Sequence, residues 1–131
     1  MATKTKAKPQ YDPAVVELRK ASPVATGNLI RIREEAYKDD RIPGKYKVLM
    51  ALTISTAIKC EPCVEMYAEK ALKMGVGKEE LVEALNVTMA MAGCPGEAWA
   101  HKALRAYNRH AAGGTSPEPA PEEPAACCPP E

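Results

Sequence analysis

Apolar residues recur along most of the chain at intervals of three and four positions, the spacing of a helix that buries one face. Regular alternation of apolar and polar residues, which would predict strands, is almost absent. The chain lacks Phe and is rich in Ala, Leu, Met and Glu, which fits helices. The pattern therefore predicts an all-α fold.

Proline, serine and glycine residues mark where the predicted helices begin and end. Pro13 and Pro62 suit the first turn of a helix, where the missing N–H costs nothing. Ser22 can cap the helix that begins at Pro23, and Gly75 can take the left-handed conformation that often ends a helix. We predict a compact bundle of about six helices, beginning near residues 13, 23, 46, 62, 79 and 96. The third, residues 46–59, is apolar nearly all round and is predicted to form the centre of the core.

Composition divides the 131 residues into three parts. Residues 1–10 are a Lys-rich leader that we expect to be flexible, and residues 11–112 form one helical domain. Residues 113–131 are rich in Gly, Pro and Glu. We expect this tail to be disordered, because it has too few apolar residues to offset the entropy lost on ordering.

Charge and hydropathy narrow the class of partner. Lys and Arg number 18 against 17 Asp and Glu, so no net field attracts nucleic acid or an anionic membrane. The longest apolar-biased run, residues 48–58, is far shorter than the roughly 20 residues of a membrane span. No apolar stretch follows the N-terminal lysines, so we expect a cytoplasmic protein. In that reducing compartment, the five cysteines favour redox or metal chemistry over a structural disulfide framework.

The most informative motif is the pair Cys60 and Cys63, separated by Glu61 and Pro62 at a predicted helix start. This spacing allows the two sulfurs to form a disulfide. The partial positive charge of a helix N-terminus and the adjacent Lys59 would both favour a reactive thiolate. Two other interpretations are open: half of a zinc site, although the core has no second ligand pair, and inert buried cysteines, although the neighbouring charges disfavour burial.

The segment from Lys45 to Gly96 resembles the alkylhydroperoxidase D and carboxymuconolactone decarboxylase family. The shared features are a helix ending in Cys-x-x-Cys, a following Ala-Leu-x-x-Gly, a helix containing Glu-Glu, and a turn bearing Gly and Pro. The resemblance implies the family's helical fold, trimeric or hexameric assembly and no bound cofactor. It also implies peroxide reduction in which Cys63 attacks and Cys60 resolves the product to a disulfide. True decarboxylases of the family lack the cysteine pair, so lactone chemistry is not expected.

The proton relay of the peroxidase branch is absent from this chain. That branch carries a Glu twelve residues before the first cysteine and a His four residues after the second, positions that are Val48 and Tyr67 here. The Tyr67 hydroxyl could donate a hydrogen bond to a thiolate or a leaving oxygen, or Tyr67 could pack at the edge of the core. His101 could act as a substitute base or be a surface or packing residue.

The remaining cysteines have separate interpretations. For Cys94, in a Gly-Cys-Pro-Gly turn, we expect a packing role. Cys127 and Cys128 lie in the tail, where packing gains nothing, so we favour a function for them. They could reduce a Cys60–Cys63 disulfide by exchange or capture a soft metal ion or metalloid.

The sequence thus predicts a peroxidase-like thiol–disulfide oxidoreductase with Cys63, Cys60, Tyr67 and His101 as candidate catalytic residues. Its substrate would be a small peroxide or disulfide, and its electron donor a protein or a small thiol. One alternative is a thiol sensor or soft-metal-binding protein that does not turn over and uses Cys60, Cys63, Cys127 and Cys128. Another is a purely structural member of the family.

Overall fold

A computed structural model describes residues 12–114, and this part of the chain contains helices and no strands. The five helices are α1 (Pro13–Ala21), α2 (Pro23–Ala36), α3 (Gly44–Ala57), α4 (Glu61–Lys73) and α5 (Lys78–Ala111). The predicted all-α class is confirmed. The leader and the tail cysteines Cys127 and Cys128 lie outside the described residues, so the predictions about them stay predictions. None of the described helices is long and apolar enough to cross a membrane.

Helices α1 and α2 belong to a unit that ends at Ala36. The Asp12 carboxylate accepts a hydrogen bond of 2.8 Å from the backbone N–H of Ala14, and Pro13 occupies the first turn. This is a standard helix start, because an acidic side chain satisfies an N–H that has no partner inside the helix. No residue of either helix is buried, although several apolar side chains lie along them.

Helices α3, α4 and α5 belong to the second unit and pack against one another around an apolar core. Each contributes fully buried side chains, among them Leu52 from α3, Ala68 from α4 and Leu81 from α5. Burial of such apolar surface is the main stabilising contribution in a domain of this size. The core fixes how α4 lies relative to α3 and α5, and therefore positions the cysteine pair.

The turn between α4 and α5 follows the sequence prediction. Gly75 has a φ of 77°, the left-handed conformation predicted for it. The N–H groups of Gly75 and Val76 donate to the carbonyls of Leu72 and Ala71, at 3.1 and 3.0 Å. The hydroxyl of Tyr107 donates to the Val76 carbonyl at 2.6 Å and ties this turn to the end of α5.

The predicted count of about six helices is wrong for the described residues, because the last two predicted helices form one element. Helix α5 runs from Lys78 to Ala111 and is kinked at Gly93, which has φ 63° and ψ −150°. Glycine adopts this conformation without a Cβ clash. Pro95 then suits the first turn of the resumed helix, so the chain changes direction without a separate loop.

The prediction that α3 is the central helix is only partly correct. Val48, Leu49 and Leu52 are buried, but four large side chains on another face are 42–66% exposed. We call these four the α3 stripe: Tyr46, Met50, Ile54 and Ile58. Their spacing of four residues places them along one side of the helix. Helices α4 and α5 do not cover that side of α3.

Candidate functional site

The cysteine pair lies at a tight junction between α3 and α4. Lys59 has a φ of 60°, in the left-handed region that residues with a side chain rarely adopt. The N–H groups of Lys59 and Cys60 donate back to the carbonyls of Thr56 and Ser55, at 3.2 and 3.0 Å. These bonds close the end of α3, so Cys60 becomes the N-cap residue of α4.

Cys60 and Cys63 form a disulfide, with their Cα atoms 5.2 Å apart. The bridge therefore spans the first turn of α4, as the spacing predicts. Both residues are half-buried, and Cys63 packs against the apolar core. Pro62 lies in the same turn, where its missing N–H leaves no hydrogen bond unmade. When the bridge is reduced, either sulfur would lie beside the positive end of the helix dipole.

A second positive charge reaches this region from α5. The ammonium of Lys102 lies 3.8 Å from a carboxylate oxygen of Glu61, the residue between Cys60 and Pro62. It also lies 4.2 Å from the centre of the Trp99 ring, a cation–π distance. Sequence reasoning missed Lys102, because only the packing of α5 against α4 brings it to the cysteine turn.

Tyr67 is one helical turn beyond Cys63 and is 8% exposed. Its hydroxyl oxygen lies 2.5 Å from that of Tyr37, a hydrogen bond in which either group can be the donor. The two rings meet edge to face with centroids 5.7 Å apart. The ammonium of Lys70 lies 4.3 Å from the centre of the Tyr37 ring. Sequence reasoning also missed Tyr37, which is 30 residues away along the chain.

The other candidate residues have less specific surroundings. Val48 is fully buried in the core and offers no titrating group at the relay position. His101 is exposed on α5. The packing role predicted for Cys94 is wrong, because its thiol is free and exposed just beyond the kink at Gly93. Among residues 12–114, no group of three or more His, Cys, Asp or Glu side chains is placed to hold a metal ion.

A separate ion-pair network joins α4 to the end of α5. The Glu65 carboxylate pairs with the Arg109 guanidinium and lies 3.4 Å from the Nε2 atom of His110. These groups are half-buried and join the two helices, so they help to fix α4 against α5. Their contribution to the site is to hold the helix that carries the disulfide.

Comparison with known proteins places the chain in one family. The model of the carboxymuconolactone decarboxylase family matches residues 23–106. An uncharacterised protein of Cupriavidus necator is 30% identical over 91 residues, which is 70% of this chain and 80% of that protein.

Solved structures agree with this assignment. A carboxymuconolactone decarboxylase family protein from Legionella pneumophila, solved in its apo form, superposes with a TM-score of 0.71 at 27% identity, covering 73% of this chain and 86% of the other. A family member from Thermotoga maritima, with a suggested role in antioxidative response, has a TM-score of 0.64 at 22% identity, covering 78% and 93%. The latter likeness shows the shared fold. The chain belongs to the carboxymuconolactone decarboxylase family.

Proposed function

We propose that this protein is a thiol–disulfide oxidoreductase with peroxidase-like chemistry at Cys60 and Cys63. The observation that carries the proposal is the Cys60–Cys63 disulfide in the first turn of α4. Two cysteines held at bonding distance by an ordered helix start can cycle between dithiol and disulfide without refolding. The positive end of the α4 dipole and the adjacent Lys59 favour the thiolate that such a cycle needs, and Lys102 offsets the negative charge of Glu61 in the same turn.

The proposed cycle begins with the Cys63 thiolate and a peroxide. The sulfur attacks one peroxide oxygen, the O–O bond breaks, and the departing alkoxide takes a proton to become an alcohol. Cys63 is then a sulfenic acid. The Cys60 thiol attacks the Cys63 sulfur, the S–S bond forms, and water is released. An external thiol donor returns the two electrons by exchange.

The missing relay sets an expectation for the rate. General acid–base catalysis typically contributes about 10² to 10⁴ to a rate, and Val48 and Tyr67 replace the two groups that would supply it. We therefore propose weaker peroxide turnover than in relay-bearing relatives. The relay position holds a fully buried valine, which supplies no base there, and this also favours an alternative function as a thiol sensor that oxidises without rapid turnover. Metal capture through the tail cysteines stays a prediction from the sequence.

The test uses the full chain with Cys94, Cys127 and Cys128 replaced by Ser, so that only the pair remains. Treatment with one equivalent of peroxide should remove two free thiols, and a dithiol should restore them. The matched control carries Cys60→Ser as well, and should lose one thiol without forming an intramolecular bridge. Retention of both thiols by the folded two-cysteine protein would rule out the redox proposal. Steady-state turnover with excess dithiol then distinguishes an enzyme from a sensor.

A further inference from the structure

Tyr67, whose hydroxyl is hydrogen-bonded to that of Tyr37, lies one helical turn beyond the disulfide. Tyr67 follows Cys63 by four residues, so the two side chains share one face of α4 on successive turns. Side chains on a helix lean toward its N-terminus, and for Tyr67 this is the direction of the turn that carries Cys63. A hydroxyl in this position can donate a hydrogen bond to the Cys63 sulfur once that sulfur carries charge.

The direction of the hydrogen bond between the tyrosines decides whether Tyr67 can donate. Two hydroxyls 2.5 Å apart share one hydrogen, so the group that accepts keeps its own hydrogen for a further acceptor. Lys70 places a positive charge over the Tyr37 ring, and this charge draws electron density from the phenol. Tyr37 is thereby the better donor of the two. When Tyr67 accepts from Tyr37, its own hydroxyl hydrogen stays available for a further acceptor.

We propose that Tyr37 is a positioning residue for the Cys63 thiolate, acting through Tyr67 in a chain of two hydrogen bonds. The proposal rests on the redox function proposed above and adds a residue that replaces part of the lost relay. Chained hydrogen bonds polarise each other, so donation from Tyr37 makes the Tyr67 hydroxyl a stronger donor. The Glu–His relay of the peroxidase branch moves a proton, whereas the Tyr37–Tyr67 pair stabilises the negative charge of the Cys63 thiolate.

The stabilised charge arises when the disulfide is reduced. A donor thiolate attacks the Cys60 sulfur and forms a new S–S bond with it. The Cys60–Cys63 bond breaks, and its electron pair leaves on the Cys63 sulfur as a thiolate. The Tyr67 hydrogen bond lowers the energy of this leaving group. A second donor thiolate then attacks the sulfur of the first donor in the mixed disulfide. Cys60 leaves as a thiolate, and the two donor thiols are joined as a disulfide.

The test measures the thiolate absorbance of Cys63 against pH in the full chain with the other four cysteines replaced by Ser. We expect Tyr67→Phe to lower the ionisation constant of Cys63 about tenfold, the low end for a hydrogen bond to a charged group. Tyr37→Phe should lower it about twofold, in keeping with cooperative strengthening. In a Tyr67→Phe background, Tyr37→Phe should change nothing further.

The other charged groups around the cysteine turn are kept constant in these variants. They are Lys59 at the junction, Glu61 on α4 and Lys102 on α5. Lys70→Gln removes the charge over Tyr37 and should act in the same direction as Tyr37→Phe, which covers the case that Tyr37→Phe fails to fold. The matched control is Tyr107→Phe, which removes a buried hydroxyl bonded to the Val76 carbonyl and should leave the titration unchanged.

Two results would overturn the inference. One is an unchanged Cys63 titration in the folded Tyr37→Phe and Lys70→Gln variants. The other is an effect of Tyr37→Phe that is equally large with and without Tyr67, since the two residues would then act independently. Because the titration needs no disulfide, it stays readable if the thiol count shows that the pair does not cycle. The failure of the inference and that of the proposed function are therefore distinguishable.

Discussion

The exposed α3 stripe predicts that the protein assembles with copies of itself. It also predicts that a substitution that introduces one charge into the stripe prevents this assembly. Tyr46, Met50, Ile54 and Ile58 present a row of large apolar side chains, with the Lys45 ammonium 5.3 Å from the centre of the Tyr46 ring at one end. Fully burying such a side chain is worth about 1.5–3 kcal/mol, so the half-exposed portions offer about 1 kcal/mol each. Exposed apolar rows of this kind mark protein interfaces in soluble proteins. We propose a homo-oligomer, trimeric or hexameric, that buries this stripe.

The substitution Ile54→Asp measures how much the α3 stripe contributes to the free energy of assembly. It removes about 1 kcal/mol of burial and places a carboxylate in an apolar contact, which costs at least about 2 kcal/mol more. The sum of about 3 kcal/mol per copy weakens association on the order of 100-fold. Because Ile54 is 59% exposed in the single chain, the fold itself should change by less than about 0.5 kcal/mol.

The assay is light scattering coupled to size exclusion over a range of concentrations. The wild type should elute as an oligomer and Ile54→Asp as a folded monomer, and their urea midpoints should agree at concentrations low enough to dissociate the wild type. The control Asn108→Asp adds the same charge at an exposed polar position on α5 and should not affect assembly. A monomeric wild type, or an Ile54→Asp protein with the wild-type mass distribution, would refute the reasoning.

Three further predictions concern stability and the tail. Leu52→Ala should lower the free energy of unfolding by about 2–5 kcal/mol in urea titrations. Ile58→Ala in the dissociated chain should lower it by less than about 0.5 kcal/mol. Similar losses in the two variants would contradict the burial of Leu52 and the exposure of Ile58. The hydrogen bond from Lys45 lowers the pKa of Glu80, so this carboxylate stabilises the fold above its ordinary pKa of 4.5 and the stabilisation is lost as pH falls through the lowered value. Glu80→Gln should therefore reduce the urea midpoint at pH 7 and have little effect near pH 2, and a loss of equal size at both would refute this. Removing residues 115–131 should leave the urea midpoint unchanged but alter either the rate at which the disulfide is reduced or the uptake of soft metals. If neither the reduction rate nor the metal uptake changes, the tail cysteines have no role in either process.

Local signals allowed the cysteine turn to be predicted from the sequence. Pro62 and the spacing of Cys60 and Cys63 indicate a helix start with two sulfurs on one turn, and the structure has this arrangement. Gly75 likewise ends α4 as predicted, because a left-handed cap depends on a few neighbouring residues. The Gly-Cys-Pro-Gly segment predicts a turn between two helices, whereas α5 is only kinked there, at Gly93; the sequence does not tell whether the chain resumes its helix at once.

The parts that could not be predicted depend on contacts between distant residues. The approach of Lys102 to Glu61 and of Tyr37 to Tyr67 follows from how whole helices pack, and no local pattern records it. The exposure of Ile54 has a similar cause. An apolar pattern shows that a face avoids water, but it does not tell whether the same chain or another copy covers that face.

The most direct test of the central claim is the equilibrium of the Cys60–Cys63 pair with a thiol–disulfide buffer. The fractions of dithiol and disulfide would be trapped by alkylation and read by mass spectrometry in the protein that retains only these two cysteines. The proposed function predicts a reversible two-electron transition in the folded protein, at a potential above about −300 mV, where reactive disulfides lie. A pair that stays reduced throughout, or a bridge that opens only when the protein is unfolded, would contradict it.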